Sequence, residues 1–346
     1  MTETSLHTEP AAISGPSMGR IVRQIAGYAI LIAVMLVSPL VKVFLPAAIF
    51  HCSVRNGRRI TWIALFLGTL LAGAVVVAGA RSPQITMAEA EMSVAYLVML
   101  VLAVALPSMA IVPLIERAES FGRVLLTAIL FAMIGLGATE FAMRVGAGFS
   151  PFAQHVADWR LMADQFLASY QRAGVPADAI PGLRHGMDVL VYCLPALLMI
   201  EVVIVFVLSL VLFGRMKAWR EMLERREADL TSPYLFRNLS LPDWLLFAFI
   251  LGGLSPLATG LAQRVGANVL ALVAFLYLLQ GLAIFRWLLV AAGAGFVGVL
   301  FAYTILGVLT LTGIAPLLLS ITGLFDSFFD FRKFTRKDHS DESHSD

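Results

Sequence analysis

Long, uninterrupted apolar blocks are the feature that most restricts what this chain can become. Segments near 60–80, 94–114, 124–141 and 187–213 each approach or exceed the ~18 residues that a bilayer core demands. A water-soluble core is assembled from shorter, amphipathic segments. Of 346 residues, 59% are hydrophobic and only 14% are charged, whereas a soluble domain carries about a quarter. So little charge cannot cover a globule in water. The fold class expected is all-α: a polytopic transmembrane helix bundle of about eight membrane segments, the first and last of them either full crossings or broken and re-entrant, plus one amphipathic surface helix.

The first apolar stretch, about 25–50, holds Pro39, Lys42 and Pro46. Proline removes a backbone donor and clashes with the preceding turn, so this stretch is expected to be kinked or broken. After the fourth span, residues 144–184 are mostly polar. Within them Phe152, Val156, Trp159, Met162, Phe166 and Tyr170 recur at three- and four-residue steps, the pattern of an amphipathic helix at the membrane surface. The fifth span runs into a charged stretch, 214–238. Further spans are expected at 241–261, 265–285 and 287–311, with a shorter apolar stretch at 313–329. Residues 1–20 and 334–346 read as polar, disordered tails around one transmembrane domain, 21–333.

Orientation follows from Lys and Arg. The 214–238 segment is the most basic and is expected in the cytoplasm, which puts 144–184 outside. Simple counting then leaves Arg20 and Arg23 outside, against the rule. A first segment that enters and turns back at Pro39 removes the conflict; an outward N-terminus with two arginines is the alternative. Interrupted segments of the first kind line protein-enclosed cavities and point to binding sites in transporters.

Several classes are excluded. A net charge of +2 offers no field for nucleic acid. Two distant cysteines, Cys52 and Cys193, make neither a disulfide framework nor a zinc site. The sequence has no P-loop, no H-E-x-x-H and no G-x-S-x-G. Neither enzymatic activity nor a cofactor is expected.

Polar groups at bilayer depth need partners, and each is a functional candidate. Glu201, six residues after Pro195 in an apolar span, is the sharpest: it is a candidate to bind a solute cation or carry a proton, or to make a structural bond. Lys42 either snorkels to the interface or meets an anionic solute. Asn268 and Gln280, twelve residues apart, share one face of span seven and either glue helices or line a site. Glu140 and Arg144 have the spacing of an ion pair. Asp326 and Asp330, near Arg332, are candidates to cap the last segment or bind a partner. Ala291, Ala294, Gly295 and Gly298 form small-residue steps that suggest a packing face.

PLVKVFLPAAIFHCSVRNGRR, YCLPALLMIEVV, FRNLSLPDWLLF, GANVLALVAFLYLLQGLAIFRW and TGLFDSFFDFRK, in this order, resemble the YybS-like family of multi-pass bacterial membrane proteins (domain of unknown function 2232), over roughly residues 25–333. The resemblance implies a bacterial inner (plasma) membrane location and no particular activity. It also implies a distant relation to the substrate-binding subunits of energy-coupling-factor transporters, although the long insert before Pro195 and the tails exceed their six-helix core. Two readings follow. One is a small-solute carrier or substrate-binding subunit, with 214–238 as a docking element for a cytoplasmic or membrane partner. The other is a non-transporting membrane scaffold or regulator.

Overall fold

The computed structural model describes residues 18–174, 176–225, 233–329 and 331–332. The two tails, apart from 18–20, and Asp330 lie outside the described residues, as does the middle of the 214–238 segment. Thirteen helices and no strand occur among the described residues. They are α1 (Met18–Val37), α2 (Leu45–Asn56), α3 (Arg58–Ala80), α4 (Met87–Glu116), α5 (Phe121–Ala147), α6 (Pro151–Arg172), α7 (Ile180–Tyr192), α8 (Leu194–Phe213), α9 (Lys217–Arg225), α10 (Leu245–Gly253), α11 (Gly260–Ala291), α12 (Phe296–Leu311) and α13 (Ile314–Phe329). By length and composition α1, α3, α4, α5, α8 and α11 suffice to cross a membrane; α12 and α13 pass only as a pair bent by 109°.

Local chemistry explains where these helices depart from the apolar blocks. The expected fifth span begins at Leu194 rather than Met187, because Pro195 sits in the first turn of α8 and cannot continue α7. Helix α11 runs straight through Arg286, where the sequence suggests a boundary, and stops before Gly293, whose φ is +65°. Consequently Ala291, Ala294, Gly295 and Gly298 straddle a helix break and form no continuous face. The close small-residue contact lies elsewhere. A Cβ on Gly281 would fall 1.9 Å from the Leu319 carbonyl, and one on Gly323 2.0 Å from that of Tyr277, so α11 and α13 touch backbone to backbone.

Helix α4 carries Pro107 and Pro113, yet runs unbroken for 30 residues. A π-helical turn at Val101–Ala105 precedes Pro107. The widened turn absorbs the missing donor. It also turns the Leu102 carbonyl onto Gly135 of α5, where a Cβ would lie 2.1 Å away.

The N-terminal segment is a hairpin inside the bundle. One end of the bundle, its basic side, gathers Arg55, Arg58, Arg117, Arg123, Arg215 and Lys217. Arg58 bonds Glu116 there at 2.5 Å. The Tyr28 hydroxyl of α1 lies 2.7 Å from His51 Nδ1 of α2, and both line a groove with Met216 and Lys217 beyond the end of α8. Tyr28 is therefore at the basic side, and α1 climbs from there. The chain turns at 38–44, where the Ser209 hydroxyl donates to the Val43 carbonyl at 2.6 Å. Ser209 is fifteen residues into α8, about 22 Å from its far end. Helix α2 then returns to the basic side, with every residue from Leu45 to Phe50 buried. Although α1 is long enough to span, its chain re-enters, and Arg20 and Arg23 join the other arginines. That outcome removes the conflict in the charge count.

Candidate functional site

Helices α4, α5 and α8 leave a cleft between their halves farthest from the basic side, and the first turn of α6 covers part of its mouth. Its volume is about 360 Å³, within the range of small-molecule sites. The walls are apolar and rich in sulfur. Met92, Met99, Met133 and Met199 all face it, and methionine adapts to irregular occupants. Polar groups at the cleft are few: Tyr96, Thr139, Glu140, His155 and Glu201.

Glu201 forms an ion pair with Lys42. Glu201 is seven residues into α8 and Tyr96 nine into α4, so the pair lies about 10–14 Å below those helix ends. The break at Pro39 and Pro46 makes this contact possible: a continuous first helix would carry Lys42 past α8, whereas the turn presents it sideways. The Lys42 ammonium also sits 5.2 Å from the centre of the Tyr96 ring, a cation–π distance. Exposure is unequal, 19% for the Lys42 side chain and 47% for Glu201. Lys42 lines a recess of about 20 Å³ and not the cleft itself, while Glu201 faces both spaces.

Glu140 has a different task. Its carboxylate accepts from Arg144 Nε at 2.5 Å, from the Ser150 hydroxyl at 2.5 Å and from the Phe152 backbone N–H at 3.1 Å. Ser150 is also the N-cap of α6, accepting from Ala153 N–H. Glu140 thus fastens the start of α6 over the cleft and neutralises Arg144. Beyond its first turn α6 pairs with α7, through an Arg184–Asp164 contact at 3.6 Å among others.

Of the four residues singled out as candidates, the structure brings Lys42 and Glu201 together and places the other two elsewhere. Asn268 accepts from Ala196 N–H at 2.9 Å and donates to the carbonyls of Tyr192 and Arg264. It therefore closes the broken α7–α8 junction onto α11. Gln280, 1% exposed, accepts from Leu241 N–H at 3.1 Å and donates to Asp326 at 3.0 Å. Asp326 in turn accepts from Phe331 N–H, and Arg332 donates to the Leu239 carbonyl. This network locks the end of α13 to α11 and to the loop before α10. Tyr96, Thr139 and His155 were not distinguished in the sequence. The spacing of Met92, Tyr96 and Met99 along one helix face was the available signal, and within an apolar span it looks like packing.

Two larger grooves, of about 450 and 720 Å³, open elsewhere, but neither ends on a charge pair inside the bundle. Among the described residues no group of His, Cys, Asp or Glu has the geometry of a metal site.

These features define a polytopic α-helical membrane protein with a re-entrant N-terminal hairpin and a cleft open away from its basic side. The chain belongs to the family described as predicted membrane protein (DUF2232), whose profile matches residues 26–327. No curated protein and no solved structure matches it.

Proposed function

We propose that this protein is a solute-binding membrane subunit of a bacterial inner-membrane transport system. The observation that carries this reading is the cleft, which has the volume of a small-molecule site and a charged floor delivered by a re-entrant hairpin. Discontinuous segments of this kind place binding groups at bilayer depth in transporters. The basic side is the cytoplasmic one by the distribution of arginine, so solute arrives from outside, beneath the start of α6. Lacking a P-loop, the chain draws energy from a partner or from a gradient. Helix α9 buries Trp219 and Leu223 against the bundle and presents its charged face to a cytoplasmic or membrane partner. No catalysis is ascribed to the cleft.

A specific observation favours the second reading, a non-transporting scaffold. Helix α6 buries a single residue, Leu167, and α7 buries none, so their hairpin is free to hold a protein. The deciding experiment is a thermal-shift screen of a small-solute library on the full chain in nanodiscs, repeated with the cleft filled by Ala95→Trp. Solutes that stabilise the native chain and not the filled variant support the binding subunit. A screen with no such solute rejects it in favour of the scaffold.

A further inference from the structure

Resting on the solute-binding reading, we propose that the solute is an organic cation: a compact apolar or aromatic body carrying one protonated amine or quaternary ammonium group. Among the described residues the cleft lining holds no Lys and no Arg. Its two carboxylates are not equivalent. Glu140 is consumed by Arg144, Ser150 and the Phe152 N–H. Among the described residues Glu201 is opposed by Lys42 alone, and from behind: Lys42 is 19% exposed and absent from the cleft wall, whereas Glu201 is 47% exposed and part of it. The ion pair therefore turns its negative end toward the occupant. An anion would meet a carboxylate in a low-dielectric site with no cation within the wall to receive it. A neutral body would gain only packing. An ammonium group meets Glu201 on its open side and joins the Lys42 pair as a second donor.

The walls suit the rest of such a molecule. Methionine sulfurs and the Phe152 ring pack against apolar or aromatic surface, and His155 at the mouth supplies an adjustable polar contact. Lys42 also competes with the solute for Glu201. Removing the Lys42 charge should strengthen cation binding, an outcome that a purely structural pair does not predict.

The test uses three probes of matched shape, phenethylammonium, 2-phenylethanol and 3-phenylpropionate, on the full chain in nanodiscs by calorimetric titration at constant ionic strength. Phenethylammonium should bind at least about tenfold more tightly than either of the others, the value of one charge-assisted hydrogen bond. Glu201→Gln should erase that preference, and Lys42→Met should enlarge it. The ranking in the unaltered protein stands even if a variant fails to fold. Equal or tighter binding of the alcohol or the carboxylate overturns the cation assignment while leaving a solute-binding cleft in place. Binding of none of the three, together with a library screen that yields no cleft-dependent solute, overturns both.

Discussion

Replacing Gly135 by alanine should separate α4 from α5 and damage both stability and the cleft. A Cβ built on Gly135 lies 2.1 Å from the Leu102 oxygen, 2.5 Å from its carbon and 2.8 Å from Ala103 Cα. Real Cβ contacts essentially never fall below 3.0 Å, so the helices must part by close to an ångström. All three obstructing atoms are backbone, hence no side-chain rotation relieves them. The π-helical turn cannot recede either, because Val104 and Ala105 are buried in a cluster with Ile32, Leu36, Leu45 and Ile49 of α1 and α2. Over-packing of this kind costs about 3 kcal/mol, the upper end of the usual range. A matched control lies two residues away, for a Cβ on Gly137 meets nothing within 4 Å. There alanine only improves helix propensity, by up to ~1 kcal/mol. The two variants should therefore differ by about 3–4 kcal/mol in reversible unfolding in mixed micelles. Leu136 and Thr139, which line the cleft, should also shift with α5, so Gly135→Ala should weaken solute binding while Gly137→Ala does not. Equal stability of the two variants would refute the packing of α5 against the π-helical turn.

Four further outcomes follow from the same contacts. Gln280→Leu should destabilise by about 2–3 kcal/mol, since it strands buried Asp326 and the Leu241 N–H; the Gln280→Leu/Asp326→Leu pair should cost less than the sum of its parts in the same unfolding assay. Trp219→Ala should cost about 3–5 kcal/mol by unfolding, because the ring is fully buried between Phe213 and Tyr234. Lys42→Met and Glu201→Met should each cost about 1–3 kcal/mol, less than a fully buried pair because Glu201 is half exposed, and a double-mutant cycle should return a favourable coupling. In a cysteine-free background, membrane-impermeant labelling of oriented vesicles should modify Arg20→Cys and Arg55→Cys from one side and Arg81→Cys from the other. Labelling of Arg20→Cys together with Arg81→Cys would mean that α1 crosses.

The sequence makes the bundle legible because apolar length is a direct image of bilayer thickness. It makes Lys42 and Glu201 conspicuous for the same reason, since a charge at depth stands out against its surroundings. It cannot make their partnership legible: they are 159 residues apart, and only the turn after α1 brings them together. Prolines behave unevenly for a related reason. Pro39 and Pro195 coincide with breaks, but Pro107 is absorbed by a π-helical turn that leaves no compositional trace. Arg286 resembles a boundary because charge is expensive in hydrocarbon, yet α11 continues through it for another five residues. Asn268 and Gln280 do not share a helix face: twelve residues are about three and a third turns, so the two amides stand roughly 120° apart on α11, Asn268 against the start of α8 and Gln280 against Leu241 and Asp326. What each meets depends on α8, the loop at Leu241 and α13, none of which is encoded locally.

The distribution of polar groups in this bundle separates two physical tasks. Asn268 and Gln280 face backbone groups that helix breaks leave unpaired, near the α7–α8 junction and before α10. Each is a neutral amide that donates and accepts at once, which suits a site where both kinds of orphan occur. Both are satisfied within the protein, so a solute has nothing to recruit there. Lys42 and Glu201 differ in each respect. They are charged and meet no broken helix end of α8. Their desolvation is costly at that depth, and two apolar side chains of similar volume would serve packing better. The re-entrant hairpin, which also carries the cost of an unwound turn inside the bundle, delivers the cation to that pair and leaves the carboxylate open toward the cleft. An arrangement that spends stability on an exposed charge, while amides elsewhere secure the fold, is the one expected where the charge has a ligand to meet.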